Sequence, residues 1–182
     1  MKEINEEIIC AGFGGQGIML MGKLIAETGM SVGYNVTWFP SYGAEVRGGT
    51  AHSMIHISSQ PIASPTVSVP SICIVMNGPS LAKFMDRVKE NGLLIINTSM
   101  VDKVVEKKSI KIAMFPFTDL ASELGNIKTA NMIAVGALIG LKKLFSLENT
   151  LKQMCKLLPD KGDIVSVNRE ALKLGYKLAT EG

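Results

Sequence analysis

Short apolar runs separated by turn-forming residues alternate with longer segments of helical period along most of this chain. Ile8-Ile9-Cys10-Ala11 leads into Gly12-Phe13-Gly14-Gly15-Gln16-Gly17, after which Ile18, Met19, Leu24, Ile25 and Met30 fall at mixed three- and four-residue steps. That order predicts a strand, a glycine turn and an amphipathic helix ending near Gly29 or Gly33. Asn35-Val36-Thr37-Trp38-Phe39, bounded by Pro40, completes a β-α-β unit from Ile8 to Phe39, with parallel strands and a right-handed crossover. Thr50 to Ile57 alternates: Ala51, Ser53, Ile55 and Ile57 on one face, Thr50, His52, Met54 and His56 on the other.

Ser71-Ile72-Cys73-Ile74-Val75-Met76 is apolar throughout, the pattern of a strand covered on both faces. Ser80 is placed to cap a helix over Leu81 to Val88, and Leu93-Leu94-Ile95-Ile96 repeats the buried-strand pattern before Asn97-Thr98-Ser99. Ile110 to Phe115 is a further strand stopped by Pro116, and Thr118 or Asp119 can cap a short helix through Leu124. Thr129 to Phe145 is apolar nearly all round, so it reads as a buried helix whose Ala134, Gly136, Ala137 and Gly140 permit close packing. A stripe at Leu147, Leu151, Met154, Leu157 and Leu158 gives a surface helix. Asp163 then caps a last one, with Ile164, Val167, Ala171, Leu174 and Leu178 inward. The expected fold is α/β: a three-layer, Rossmann-like domain over residues 1–182, with a mainly parallel sheet and a helical C-terminal region.

Gly12, Gly14 and Gly17 match Gly-x-Gly-x-x-Gly, where the missing side chains let backbone turn sharply and approach a phosphate at a helix start. A dinucleotide site of this kind places an acid at the end of the second strand, for the ribose hydroxyls. Here that strand ends in Trp38-Phe39-Pro40-Ser41. The conventional NAD reading is disfavoured, though a free-standing nucleotide-binding oxidoreductase stays as the alternative. The following loop concentrates Ser41, Glu45, Arg47, Gly48 and Gly49 ahead of Thr50, and Arg47 offers a planar donor fork to a carboxylate or phosphate. With Gly15 and Gln16 it forms a two-loop surface for an anionic ligand or a partner's backbone. Asn131 is either a polar contact to these loops or an ordinary early-turn helix residue.

Composition narrows the classes. A net charge of +3 with scattered lysines gives no nucleic-acid stripe. No apolar run reaches the roughly 18 to 20 residues that span a bilayer, and the acidic Glu3-Ile4-Asn5-Glu6-Glu7 start is not a signal peptide, so the expectation is a cytoplasmic protein. The hydrophobic fraction of 47% points to surface covered by a partner. Cys10, Cys73 and Cys155 lie too far apart for a Cys-x-x-Cys pair, and an iron–sulfur cluster normally needs four thiolates, so this chain alone supplies none. His52 and His56 share a strand face without a third ligand nearby, which favours polar strand positions or an interface over a metal. No nucleophile–base arrangement can be assembled from spacing, so the candidate groups bind rather than catalyse.

Gly12-Phe13-Gly14-Gly15-Gln16-Gly17, the run Thr37 to Thr50, Asn77-Gly78-Pro79-Ser80 and Ala130-Asn131-Met132 together resemble the γ subunit of 2-oxoacid:ferredoxin oxidoreductases, most of all the small separate subunit of the 2-oxoglutarate enzymes. The resemblance spans about Ile8 to Leu158. It implies a complex of α, β, γ and ferredoxin-like δ subunits that oxidatively decarboxylates a 2-oxoacid to its acyl-CoA and passes electrons to ferredoxin. Thiamine diphosphate, iron–sulfur clusters and CoA are then expected in the complex, with no cofactor bound by this chain alone. Pyruvate, branched-chain and aryl-pyruvate enzymes remain alternatives to 2-oxoglutarate. Ala44 and His52 depart from the residues common in that family and take no role from it.

Overall fold

The computed structural model describes residues 3–41, 50–102, 106–158 and 162–181. Strands β1 (Asn5–Gly12), β2 (Asn35–Ser41), β3 (Ala51–Ser58), β4 (Ile72–Val75), β5 (Leu93–Asn97) and β6 (Lys111–Phe115) form one sheet in the order β2-β3-β1-β4-β5-β6. The helices are α1 (Ile18–Ser31), α2 (Gly78–Phe84), α3 (Phe117–Glu123), α4 (Ala130–Lys142), α5 (Leu147–Leu157) and α6 (Gly162–Glu181).

From β1 through β4 and β5 to β6 every pairing is parallel, whereas β3 is antiparallel to both β1 and β2. It follows that β2 runs in the same direction as β1 without touching it. The β-α-β unit expected over Ile8 to Phe39 is present but split, with β3 lying between its strands. The connection from β2 to β3 is too short for a crossover, so the two strands turn back on each other as antiparallel neighbours.

Alternation along the strands divides the core in two. Ile8, Cys10, Ile55, Ile57, Ile72 and Ile74 face one side with α1 and α4; Ile9, Ala11, Cys73, Val75, Leu94 and Ile96 face the other with Leu81 and Phe84 of α2. Strands β4 and β5 are buried along their whole length, as their unbroken apolar runs require. The first side carries two helical layers, because α6 packs across the outside of α4. Residues Ala130 to Gly140 are therefore all buried. The two backbones meet at glycines: a Cβ on Gly175 would overlap the Ile133 carbonyl, and one on Gly136 the Leu172 carbonyl.

Three local expectations are corrected. Helix α2 starts at Gly78, and its cap is Asn77, whose Oδ1 accepts from the Ser80 amide at 2.9 Å. Pro79 explains the shift, since a residue without an N–H suits the first helical turn. Helix α3 starts at Phe117, so Thr118 lies inside it and turns its polar atoms to Asn97 instead of capping. On α6 Ile164 is exposed, while Asn168, Ala171, Leu172 and Gly175 point inward; the close approach of Gly175 to α4 sets that phase.

Candidate functional site

The glycine loop closes on itself before α1 begins. Gly15 and Gly17 have φ of 96° and 70°, left-handed values that favour glycine. Gly17 is the N-cap of α1, and no side chain caps that helix end. A Cβ on Gly12 would stand 2.5 Å from Gln16 Oε1 and 2.8 Å from Ile18 Cδ1, so this glycine leaves room for the loop's own packing. Phe13, Gly14 and Gly15 are exposed, and among the described residues the Gly14 and Gly15 amides have no acceptor.

Gln16 is the brace of the loop. Its Oε1 accepts from the Phe13 amide at 2.9 Å and from Asn77 Nδ2 at 3.4 Å, and its Nε2 donates to the Met76 carbonyl at 3.1 Å. The same carbonyl accepts from Asn97 Nδ2 at 3.2 Å, and that nitrogen also donates to Thr118 Oγ1 at 2.8 Å. Four side chains thus join the ends of β1, β4 and β5 to the start of α3. Buried amides satisfied in this way hold strand ends in fixed relation. Asn131 settles between its two readings as a contact: buried in α4, it donates from Nδ2 to the Gly17 carbonyl at 3.3 Å, and its Oδ1 has no partner among the described residues.

Beside the loop lies a cavity of about 330 Å³, lined among others by Phe13, Met76, Met100, Thr118, Ile127 and Lys128. It sits at the C-terminal ends of the parallel strands, where β1 leads to a helix on the first side of the sheet and β4 to one on the second. Such a crevice is where ligands of open α/β sheets bind.

The second candidate loop leaves the same end of the sheet. Ala51 pairs with Gly12, placing Thr50 next to the glycine loop, while Ser41 pairs with His52 on the far side of β3. Thr50 Oγ1 accepts from Lys83 Nζ at 2.9 Å. Glu45, Arg47, Gly48 and Gly49 lie outside the described residues. The His52 ring is 5.1 Å from the Phe84 ring. Burial first, and the nearby Lys83 second, hold its imidazole below the ordinary pKa of 6.5. His56 Nε2 meets Asn5 Oδ1 at 2.7 Å, so the two histidines have separate surroundings. Sequence reasoning left Asn77, Asn97, Thr118 and Lys128 out of the candidate site; a partial signal was there in two asparagines closing successive buried strands, where a polar side chain needs a partner.

Residues 7–178 match the family model described as pyruvate ferredoxin/flavodoxin oxidoreductase. The chain belongs to this family. It is 32% identical to the 2-oxoglutarate synthase subunit KorC of Methanocaldococcus jannaschii, covering 98% of this chain and 96% of that one. It is 31% identical to the ketoisovalerate oxidoreductase subunit VorA of Methanothermobacter marburgensis, over 96% of this chain but only 36% of that longer one. Among solved structures it is similar to the γ subunit of a keto/oxoacid ferredoxin oxidoreductase from Geobacter sulfurreducens, with a TM-score of 0.84, 26% identity, and coverage of 97% and 99% of the two chains.

A pyruvate ferredoxin/flavodoxin oxidoreductase family member invites a test for cluster ligands. Cys10 and Cys73 are fully buried on opposite sides of the sheet, and Cys155 lies on α5 with its Sγ 3.1 Å from Arg169 Nη2. Burial pushes the Cys10 thiol far up and the Cys73 thiol up to about 12, which disfavours the thiolates a cluster requires. These three residues do not fit an iron–sulfur centre. Among the described residues no three His, Cys, Asp or Glu side chains converge as metal ligands, and no helix is long and apolar enough to cross a membrane.

Proposed function

We propose that this chain acts, as one domain over residues 1–182, as the γ subunit of a cytoplasmic 2-oxoacid:ferredoxin oxidoreductase complex, with 2-oxoglutarate as the acid oxidised and succinyl-CoA as the product. The observation that carries the reading is the end-to-end match with the 2-oxoglutarate synthase subunit, 98% of one chain against 96% of the other. The longer ketoisovalerate relative supports a second reading, in which the same domain serves a branched-chain 2-oxoacid.

In this reading α, β and ferredoxin-like δ chains hold thiamine diphosphate and the iron–sulfur clusters, and the reaction's redox chemistry takes place there. The part played by this chain is to bind and position. Its braced glycine loop and the neighbouring segment with Glu45, Arg47, Gly48 and Gly49 form the surface that meets a partner subunit or the phosphates of CoA. A free-standing dinucleotide enzyme is the weaker alternative: β3 occupies the place beside β1 where the second strand of that fold would bring its acid.

Affinity tagging in the native cell tests the assignment. The tagged chain should co-purify with thiamine- and cluster-bearing chains, and the eluate should reduce ferredoxin with CoA and 2-oxoglutarate faster than with pyruvate or 2-oxoisovalerate. Recovery as a lone chain, with undiminished 2-oxoacid oxidation after deletion, would reject it. Preference for 2-oxoisovalerate would transfer the assignment to the second reading.

A further inference from the structure

We propose that the cavity between the glycine loop, Met100 and the start of α4 is a binding site for a small organic anion with an apolar body. Phe13, Met76, Met100, Ile127 and Ala130 make its walls apolar. Among the described residues, Lys128 is the charged side chain that lines it, and no acidic one does. The positive field of Lys128 at the cavity favours an anionic guest over an uncharged one, and an anion without an apolar body would leave the walls wet.

The acid group has a place to go. Lys128 supplies an ammonium, and the exposed Gly14 and Gly15 lining the same cavity carry amides with no acceptor among the described residues. Charge-assisted bonds from such donors are stronger than neutral ones. The apolar rim is open to an incoming ligand: Phe13 and Met100 are each 38% exposed and Ile127 is 58% exposed, more than an isolated core would leave uncovered. The floor is preformed, because Gln16 and Asn97 both bond the Met76 carbonyl and Asn97 also holds Thr118. A cavity of about 330 Å³ is at the small end of ligand sites, so it suits a nucleoside monophosphate or a medium-chain carboxylate rather than a whole dinucleotide. This inference deepens the reading of the glycine loop as an anion-binding surface and rests on it, while binding by the full chain alone is read separately from co-purification and 2-oxoacid preference.

Methionine-methyl NMR on the full chain tests it, because Met76 and Met100 both line the cavity and act as reporters. The probes are AMP and hexanoate, each paired with a neutral counterpart, adenosine or hexanamide, and inorganic phosphate serves as the acid without a body. At least one organic anion should shift both methyl signals saturably, and at least roughly tenfold more tightly than its neutral counterpart or phosphate. Which of the two binds distinguishes a planar from an aliphatic body. Lys128→Glu and Ile127→Asp, both at exposed positions, should each weaken that binding about tenfold or more while leaving the thermal midpoint in place. No saturable shift at Met76 and Met100 with either anion would overturn the proposal, as would equal binding of the neutral counterpart or of phosphate, or unchanged binding by folded Lys128→Glu.

Discussion

Asn131 donates from Nδ2 to the carbonyl oxygen of Gly17 at 3.3 Å, and a Cβ on Gly17 would overlap that same nitrogen. The start of α1 and the start of α4, far apart in sequence, are therefore fitted to each other through one glycine and one amide. Gly17 also has a φ of 70°, so its missing side chain serves both conformation and contact.

Replacing Gly17 by Ala should cost about 2 to 4 kcal/mol, from left-handed strain combined with overpacking. Asn131→Ala alone should cost about 1 to 2 kcal/mol through the lost hydrogen bond. In the double variant the overlap disappears while the strain stays, so the combined loss should fall short of the sum by about 1 kcal/mol. Urea unfolding of the four proteins measures this coupling, and strict additivity would mean that the two residues act separately.

Gln16→Leu keeps a similar bulk but removes the brace between Phe13 and Met76. The expected loss is about 1 to 2 kcal/mol, with faster hydrogen exchange confined to the glycine loop. Gln16→Glu should do worse, since it sets a carboxylate oxygen where Nε2 now donates to a carbonyl. Exchange mass spectrometry reads both variants.

Glycines of this chain should separate sharply on substitution by alanine. At Gly175 the new Cβ meets the Ile133 carbonyl, which is helix backbone and cannot yield, so a loss of about 3 kcal/mol or more is expected. At Gly15 a new Cβ would have no atom within 4 Å among the described residues beyond its chain neighbours, so the strain of a φ of 96° is the cost expected, about 1 to 2 kcal/mol. Thermal unfolding of the two variants should give clearly different midpoints.

His52 makes stability depend on pH. Its folded pKa lies below the ordinary 6.5, chiefly because burial disfavours the imidazolium and secondarily because Lys83 is near. On acidification through 6.5 the unfolded chain takes up a proton before the folded one does. Stability from this residue is therefore full above 6.5 and declines below it, down to the folded pKa. Denaturation between about pH 5 and 8 should show that decline, and His52→Gln should flatten it.

Much of the fold was legible because buried strands announce themselves: Ile72 to Val75 and Leu93 to Ile96 are apolar on both faces and stand as β4 and β5. The all-round apolar helix was legible for the same reason, and α6 covering α4 accounts for it. The position of β3 was not, because alternation in residues 51–57 fixes which face each side chain takes but not which strand lies alongside. At the site, the glycines and Asn131 carried their own signals. The Gln16–Asn77–Asn97–Thr118 network did so only in part: Asn77 and Asn97 stand out as polar ends of buried strands, but which partners they take is set by the sheet that joins residues so far apart in sequence.

The placement of β3 also governs how the chain can be assembled or divided. Both sheet neighbours of β1 come later in the sequence than β2, so a nascent or truncated chain ending at Ser41 holds two strands of one sheet with no backbone bond between them. Such a fragment has no sheet to bury, and adding residues through Ser58 supplies the missing middle strand. Any division of this protein into independently expressed halves must therefore fall after β3, since a cut between β2 and β3 takes from the first half the one strand that joins β1 to β2.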